Sequence, residues 1–139
     1  MFRLRACDEI GWANVKSLEE TVGAGGSRYM DIIKQGSGNT HIETKYYATF
    51  ENKSITNIND YLTQIQKDLE NGYPFEHWLS KTNSITTETQ LHQEIKMILT
   101  DAKYDNLFIN KYVGAGKRFE TFNDFISSKF KFKDFNATN

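Results

Sequence analysis

The stretch His41-Ile-Glu-Thr-Lys-Tyr-Tyr-Ala-Thr-Phe50 is rich in β-branched and aromatic residues and reads as a strand, yet it sets an acid and a base two residues apart. Side chains alternate between the faces of a strand, so Glu43 and Lys45 project to one side while Ile42, Thr44 and Tyr46 project to the other. Such a pair often does no more than keep a surface strand soluble. Its meaning therefore depends on its neighbours. Upstream, Tyr29-Met-Asp-Ile-Ile-Lys34 reads as a short strand and Gln35-Gly-Ser-Gly-Asn39 as a turn, and with residues 40–49 they make a hairpin. Folding back antiparallel brings Asp31 towards Glu43. Two carboxylates and an ammonium then cluster at one end of a sheet.

The chain around this hairpin divides into short segments. From Asp8 to about Thr21, Ile10, Val15, Leu18 and Val22 recur at near-helical spacing, and the run stops at Gly23-Ala-Gly-Gly26; it is expected to be a helix, either continuous, broken near Gly11 or restarted at Ser17, where Ser17-x-x-Glu20 has the form of a capping box. Ile55, Ile58, Tyr61, Leu62, Ile65 and Leu69 mark one face of a helix that ends at Asn71-Gly72. Phe75–Leu79 follows as a strand, Glu88 to Ala102 as a helix, Leu107–Tyr112 as another strand, and Phe119, Phe122, Ile126 and Phe130 as the face of a last helix. No repeat or low-complexity linker interrupts the order, so residues 1–139 are expected to form a single α/β domain with a small mixed sheet.

Composition narrows the classes. A chain of 139 residues buries roughly two-thirds of its unfolded surface, and its 10 Phe and 7 Tyr argue against disorder despite a mean hydropathy of −0.62. No apolar run approaches the roughly 18 residues that span a bilayer, and the N-terminal MFRLRACDEIGW is too charged for a signal peptide, so a soluble protein is expected. The single cysteine, Cys7, is expected to be a buried, inert thiol. A net charge of −1 excludes a global basic field for non-specific nucleic-acid binding, so any polyanion must be held by a local patch or a bound cation.

Carboxylates brought close together repel when ionised, and a shared proton or a divalent cation relieves the repulsion. Hard oxygen ligands suit Mg2+ or Mn2+, which keeps several waters and accepts further ligands from a substrate phosphate. Such a metal lowers the pKa of a bound water and neutralises charge developing on phosphorus. Lys45 would then orient the water or stabilise the transition state.

Arg28-Tyr-Met-Asp31-Ile-Ile, a glycine turn and Ile42-Glu43-Thr44-Lys45 together resemble the core of the PD-(D/E)xK nuclease superfamily, with Met30 where that family often has proline. The resemblance implies a restriction-endonuclease-like αβββαβ core, with Asp31 and Glu43 as metal ligands for Mg2+ or Mn2+ and Lys45 as a catalytic residue. It also implies a further helical acid upstream. Glu9 and Glu20 both qualify, since 11 residues are about three turns and put both on one face of a continuous helix. Gln64, in Tyr61-Leu-Thr-Gln64-Ile-Gln-Lys-Asp68-Leu, matches a glutamine that many members carry on the following helix. With Glu76-His77-Trp78, the pattern over residues 8 to 80 is most similar to C-terminal nuclease domains of bacterial polymorphic toxins of the contact-dependent inhibition type. That implies an endonuclease acting on DNA or RNA, tRNA included, secreted within a larger protein, active in the target-cell cytoplasm and met by a cognate immunity protein. The alternatives are a stand-alone repair or restriction nuclease, and a non-catalytic interaction module.

Other features are read more plainly. Gly23-Ala-Gly-Gly-Ser27 and Val113-Gly-Ala-Gly-Lys117 lack the full phosphate-loop pattern and are expected to be loops, leaving Lys117 and Arg118 as candidates for phosphate contact. His41, His77 and His92 are too scattered for zinc and are expected to be partly exposed. Lys129-Phe-Lys-Phe-Lys-Asp-Phe135 fits base stacking, but fits better an edge strand or helix end whose Phe side chains join the core while its lysines guard the edge.

Overall fold

The computed structural model describes residues 2–26, 28–36, 38–45, 53–80 and 87–133. Five strands form one mixed sheet in sequence order, β1 (Val15–Val22), β2 (Arg28–Lys34), β3 (Thr40–Lys45), β4 (Phe75–Ser80) and β5 (Phe130–Lys133). The first three are an antiparallel meander; β4 runs parallel to β3, and β5 parallel to β4. Helix α1 (Phe2–Ile10) precedes β1, α2 (Ile55–Asn71) connects β3 to β4, and α3 (Glu88–Thr100) and α4 (Phe122–Lys129) lie between β4 and β5.

Each face of the sheet carries its own apolar cluster. Ala6 and Cys7 of α1 pack with Ile32, Ile42 and Trp78, and burial holds the Cys7 thiol above its usual pKa. The larger cluster joins Ile58, Tyr61, Leu62, Ile65 and Leu69 of α2 and Leu91, Ile95 and Ile98 of α3 to Phe75 and Leu79 of β4, Phe125 of α4 and Phe130 of β5. Alternation along β4 explains the division, since Phe75, His77 and Leu79 face the larger cluster and Trp78 faces α1.

Local chemistry sets the helix ends. The Ser54 hydroxyl accepts from the Asn57 amide at the start of α2, and Gly72 ends that helix in the left-handed conformation at φ 74°. Thr87 and Gln90 form a reciprocal capping box on α3, and the Asn106 side chain closes its other end by donating to the carbonyls of Ile98 and Asp101.

Three expected elements differ. The segment from Asp8 to Thr21 is not one helix: α1 ends at Ile10, Gly11 turns the chain at φ 91°, and Val15–Val22 is a strand paired with β2. Ser17 therefore begins no capping box. Half-buried positions fall at Val15 and Ser17, then at Glu20 and Val22, with Glu19 between them at φ 52°. That change of parity hides the two-residue period and leaves Val15 and Val22 seven apart, the spacing of two helical turns. Leu107–Lys111 is a 3-10 helix instead of a strand, with Leu107 exposed and Ile109 buried. The last helix stops at Lys129, and Phe130 opens β5.

The hairpin and the helix after it match expectation, as does β4. So does the edge-strand reading of the basic and aromatic tail: Phe130 is buried and Phe132 packs against the larger cluster. Tyr46 to Phe50 of the opening stretch, Ser27, and Asp134 and Phe135 of the tail lie outside the described residues. Among the described residues no helix is long and apolar enough to cross a membrane.

Replacing the α3 cap by Thr87→Ala is expected to lower unfolding free energy by about 1 kcal/mol. Ile95→Ala, at a fully buried position, is expected to cost about 3 kcal/mol. Urea denaturation of the two variants checks both values, and equal losses would contradict this division between cap and core.

Candidate active site

The β2–β3 ladder pairs Lys34 with Thr40, Ile33 with His41 and Ile32 with Ile42. One step further the register sets Asp31 against Glu43, but there a side chain takes over from the backbone. Oδ2 of Asp31 accepts from the Thr44 amide at 2.9 Å and from the Thr44 hydroxyl at 2.8 Å. The two strands thus hold the Asp31 carboxylate between them.

Glu43 is buried, at 6% exposure. Its Oε2 accepts from Nη2 of Arg28 at 3.1 Å and lies 3.5 Å from Nζ of Lys45. Burial and a hydrogen bond with Asp31 push its carboxyl up to about 7, against the pull of Lys45 and Arg28. For Asp31 burial acts in the same direction, but the bonds from Glu43 and Thr44 outweigh it and hold the carboxyl below its usual range. Below about pH 7 one proton therefore sits on the pair, carried by Glu43 and directed at Asp31.

Behind the pair lies a buried polar network. Arg28 is only 5% exposed; its Nε lies 3.0 Å from Oδ1 of Asp68, and its Nη1 donates to the Tyr29 carbonyl at 2.7 Å. Asp68 is wholly buried on α2, where it accepts from the Tyr73 hydroxyl at 2.8 Å and from Nε2 of His77 at 2.7 Å. Burial would raise the Asp68 carboxyl, but His77, Arg28 and Tyr73 hold it below the usual range. His77 has no exposure, and burial keeps it neutral at physiological pH. An ionised Asp68 only accepts, so the His77 proton is on Nε2, and Nδ1 accepts from the Tyr61 hydroxyl at 2.8 Å. Lys45 lies over the Tyr61 ring, 5.6 Å from its centroid.

The candidates read from sequence thus separate. Asp31, Glu43 and Lys45 come together. Gln64 shares a helical stripe with Tyr61 and Asp68, three residues after one and four before the other, and its Oε1 is buried without a hydrogen-bond partner among the described residues. Glu9 is at the end of α1, where it binds Lys133 of β5 at 2.6 Å, and Lys133 covers the Trp78 ring. Glu20 is on β1 opposite Met30, and among the described residues no hydrogen bond or ion pair joins it to Asp31 or Glu43. The continuous helix that was to place Glu9 and Glu20 on one face does not exist. By register Glu19, between Leu18 opposite Ile32 and Glu20 opposite Met30, falls across from Asp31, and it pairs with Arg3 of α1, which senses the charge of Asp31.

The loop candidates are occupied within the protein: Lys117 donates to the Asn110 carbonyl, and Arg118 to that of Leu69 at 3.0 Å. His77 is fully buried, contrary to the partly exposed position expected of it. The Arg28–Asp68–His77 network was not foreseen. Its one visible signal is Asp68 itself, an acid set among the apolar stripe of α2 beside Ile65 and Leu69.

Among the described residues no group of three or more His, Cys, Asp or Glu side chains converges on one point. What the site offers a cation is two carboxylates, each with one oxygen already bound by protein donors. That number suits a hydrated ion which takes its other ligands from water and substrate. Comparison with family models, with curated proteins and with solved structures gives no match to this chain.

The folded chain keeps the Glu43 proton up to about pH 7, whereas an ordinary glutamate releases it near 4.5. Between these values folding takes up a proton, so this contribution to stability is complete on the acid side and is lost as pH rises through about 7. Asp31 acts oppositely, losing its contribution as pH falls, but at more acid pH. Urea denaturation between about pH 5.5 and pH 8 should show wild type losing stability relative to Glu43→Gln. Parallel profiles would show that Glu43 does not titrate in that window.

Proposed function

We propose that this chain is a metal-dependent endonuclease that hydrolyses phosphodiester bonds, with a restriction-endonuclease-like core, and that it serves as the toxic domain of a bacterial competition system. The observation that carries the reading is the meeting of Asp31, Glu43 and Lys45 where β2 and β3 part. The order α1, β1, β2, β3, α2, β4 supports it, being the αβββαβ order the resemblance implies. Gln64 on the α2 stripe adds support.

In this reading Asp31 and Glu43 hold Mg2+ or Mn2+, which when bound neutralises phosphate charge and makes water a stronger nucleophile at neutral pH. Thr44 fixes Asp31 through two donors, so the carboxylate needs no reorganisation to accept the ion. Lys45, partly open to solvent with its side chain 17% exposed, is the cation that reaches the substrate side, where it orients the attacking water or the scissile phosphate. Substrates are DNA or RNA, tRNA included. The near-neutral chain makes a restricted substrate or a protein partner more fitting than non-specific binding. A cognate immunity protein is the partner this role requires.

One observation favours a second reading, a non-catalytic interaction module. Arg28 already pairs with Asp68 and donates to Glu43, beside which Lys45 lies, so the same residues also make a polar network that needs no added ion.

Incubation with plasmid, total RNA and tRNA, with Mg2+ or with EDTA, separates the two. The nuclease reading expects metal-dependent cleavage, and a loss of about a hundredfold or more in each of Asp31→Ala, Glu43→Ala and Lys45→Ala. Full activity in Lys45→Ala would remove the mechanism, and no cleavage of any substrate by the wild type would favour the interaction module.

A further inference from the structure

We infer that Asp68 is a positioning residue for Glu43, acting through Arg28, so that α2 sets the orientation of a carboxylate on β3 that it does not itself touch. The functional sense of this rests on Glu43 being a metal ligand; its geometric content does not.

The Arg28 guanidinium joins three groups: Nη2 donates to Glu43 at 3.1 Å and more distantly to Oδ2 of Asp68 at 3.5 Å, Nη1 donates to the Tyr29 carbonyl at 2.7 Å, and Nε lies in ion-pair contact with Oδ1 of Asp68 at 3.0 Å. Because the same Nη2 serves Asp68 and Glu43 while Nη1 is tied to the Tyr29 carbonyl, the place of Asp68 sets where Glu43 finds its donor. Asp68 is itself immobilised. Its Oδ1 accepts from the Tyr73 hydroxyl, its Oδ2 accepts from His77 Nε2 and more distantly from Arg28 Nη2, and His77 is locked from behind by Tyr61.

Stability alone does not account for this arrangement. Asp68 occupies a fully buried position between Ile65 and Leu69 on the core face of α2. Apolar side chains at such sites commonly equal or exceed the stability of a buried ion pair, because desolvation offsets most of the Coulomb attraction. What an apolar residue there could not do is fix a guanidinium in one plane. With Oε2 of Glu43 held by Arg28 and Oδ2 of Asp31 held by Thr44, each carboxylate has one orientation in which its other oxygen meets a ligand. Outer-shell groups of this kind typically change metal affinity by about 10- to 100-fold when removed.

The test uses the full chain with Mn2+ as the probe. In Asp68→Asn, a crystal structure is expected to show Glu43 displaced from its wild-type position. Calorimetry is expected to show Mn2+ binding weakened by about tenfold or more, with no further loss when the change is added to Glu43→Gln. Glu43 unmoved, or a lowered melting temperature with unchanged Mn2+ affinity, overturns the inference and leaves Asp68 a stabilising residue. If Asp68→Asn does not fold, Tyr73→Phe removes one donor to Asp68 and is read in the same two ways. No Mn2+ binding by the wild type would overturn the nuclease reading, and the position of Glu43 in the variant would still uphold or overturn this one.

Discussion

A guanidinium taken out of water must be met by acceptors and a counter-charge, and Arg28, 5% exposed at the start of β2, is the constraint from which the site is built. Glu43 from β3 and Asp68 from α2 meet it, and by doing so they tie the antiparallel hairpin to the helix that crosses to β4. On the acid side of about pH 7 the charges balance. Arg28 and Lys45 face the ionised Asp31 and Asp68, Glu43 keeps its proton, and burial keeps His77 neutral. Loss of the Glu43 proton leaves one negative charge in excess, beside Asp31. A divalent cation would answer that excess, as a proton does below about pH 7.

The parts of this arrangement that were legible in the sequence are those made by neighbours in the chain. Alternation in residues 41–45, the glycine turn and the apolar stripe of α2 each lie within one segment, and each is found where its periodicity puts it. The first strand was illegible because Glu19, in a left-handed backbone conformation, reverses the parity of its inward positions, and what remains of the pattern has helical spacing. That misreading carried Glu9 and Glu20 with it, since a helix was needed to bring them near Asp31. The five residues of Leu107–Lys111 are too few for any period to declare itself.

The buried network escaped for a different reason. Arg28, Glu43, Asp68 and His77 come from four separate elements, and no spacing in the sequence relates them. An acid in the apolar stripe of a helix still carries information, because burying it without a partner is so unfavourable that a cation or donors must come from elsewhere in the chain. Asp68 between Ile65 and Leu69 thus announces a partner without naming it.

Exposure grades across the site, and the gradient bears on whether the ions act or merely hold the fold. Asp68 and His77 have none, Arg28 and Glu43 almost none, Lys45 more, and Asp31 is half-buried. An ion network that served only stability would gain most from being closed on all sides, where its hydrogen bonds are strongest, or from being replaced by apolar packing. Here the closed end is rigid and the open end presents a carboxylate fixed by two Thr44 donors beside a lysine. In the proposed reading such preorganised charge would serve to bind an ion and a phosphate, because it avoids reorganising the site when they arrive.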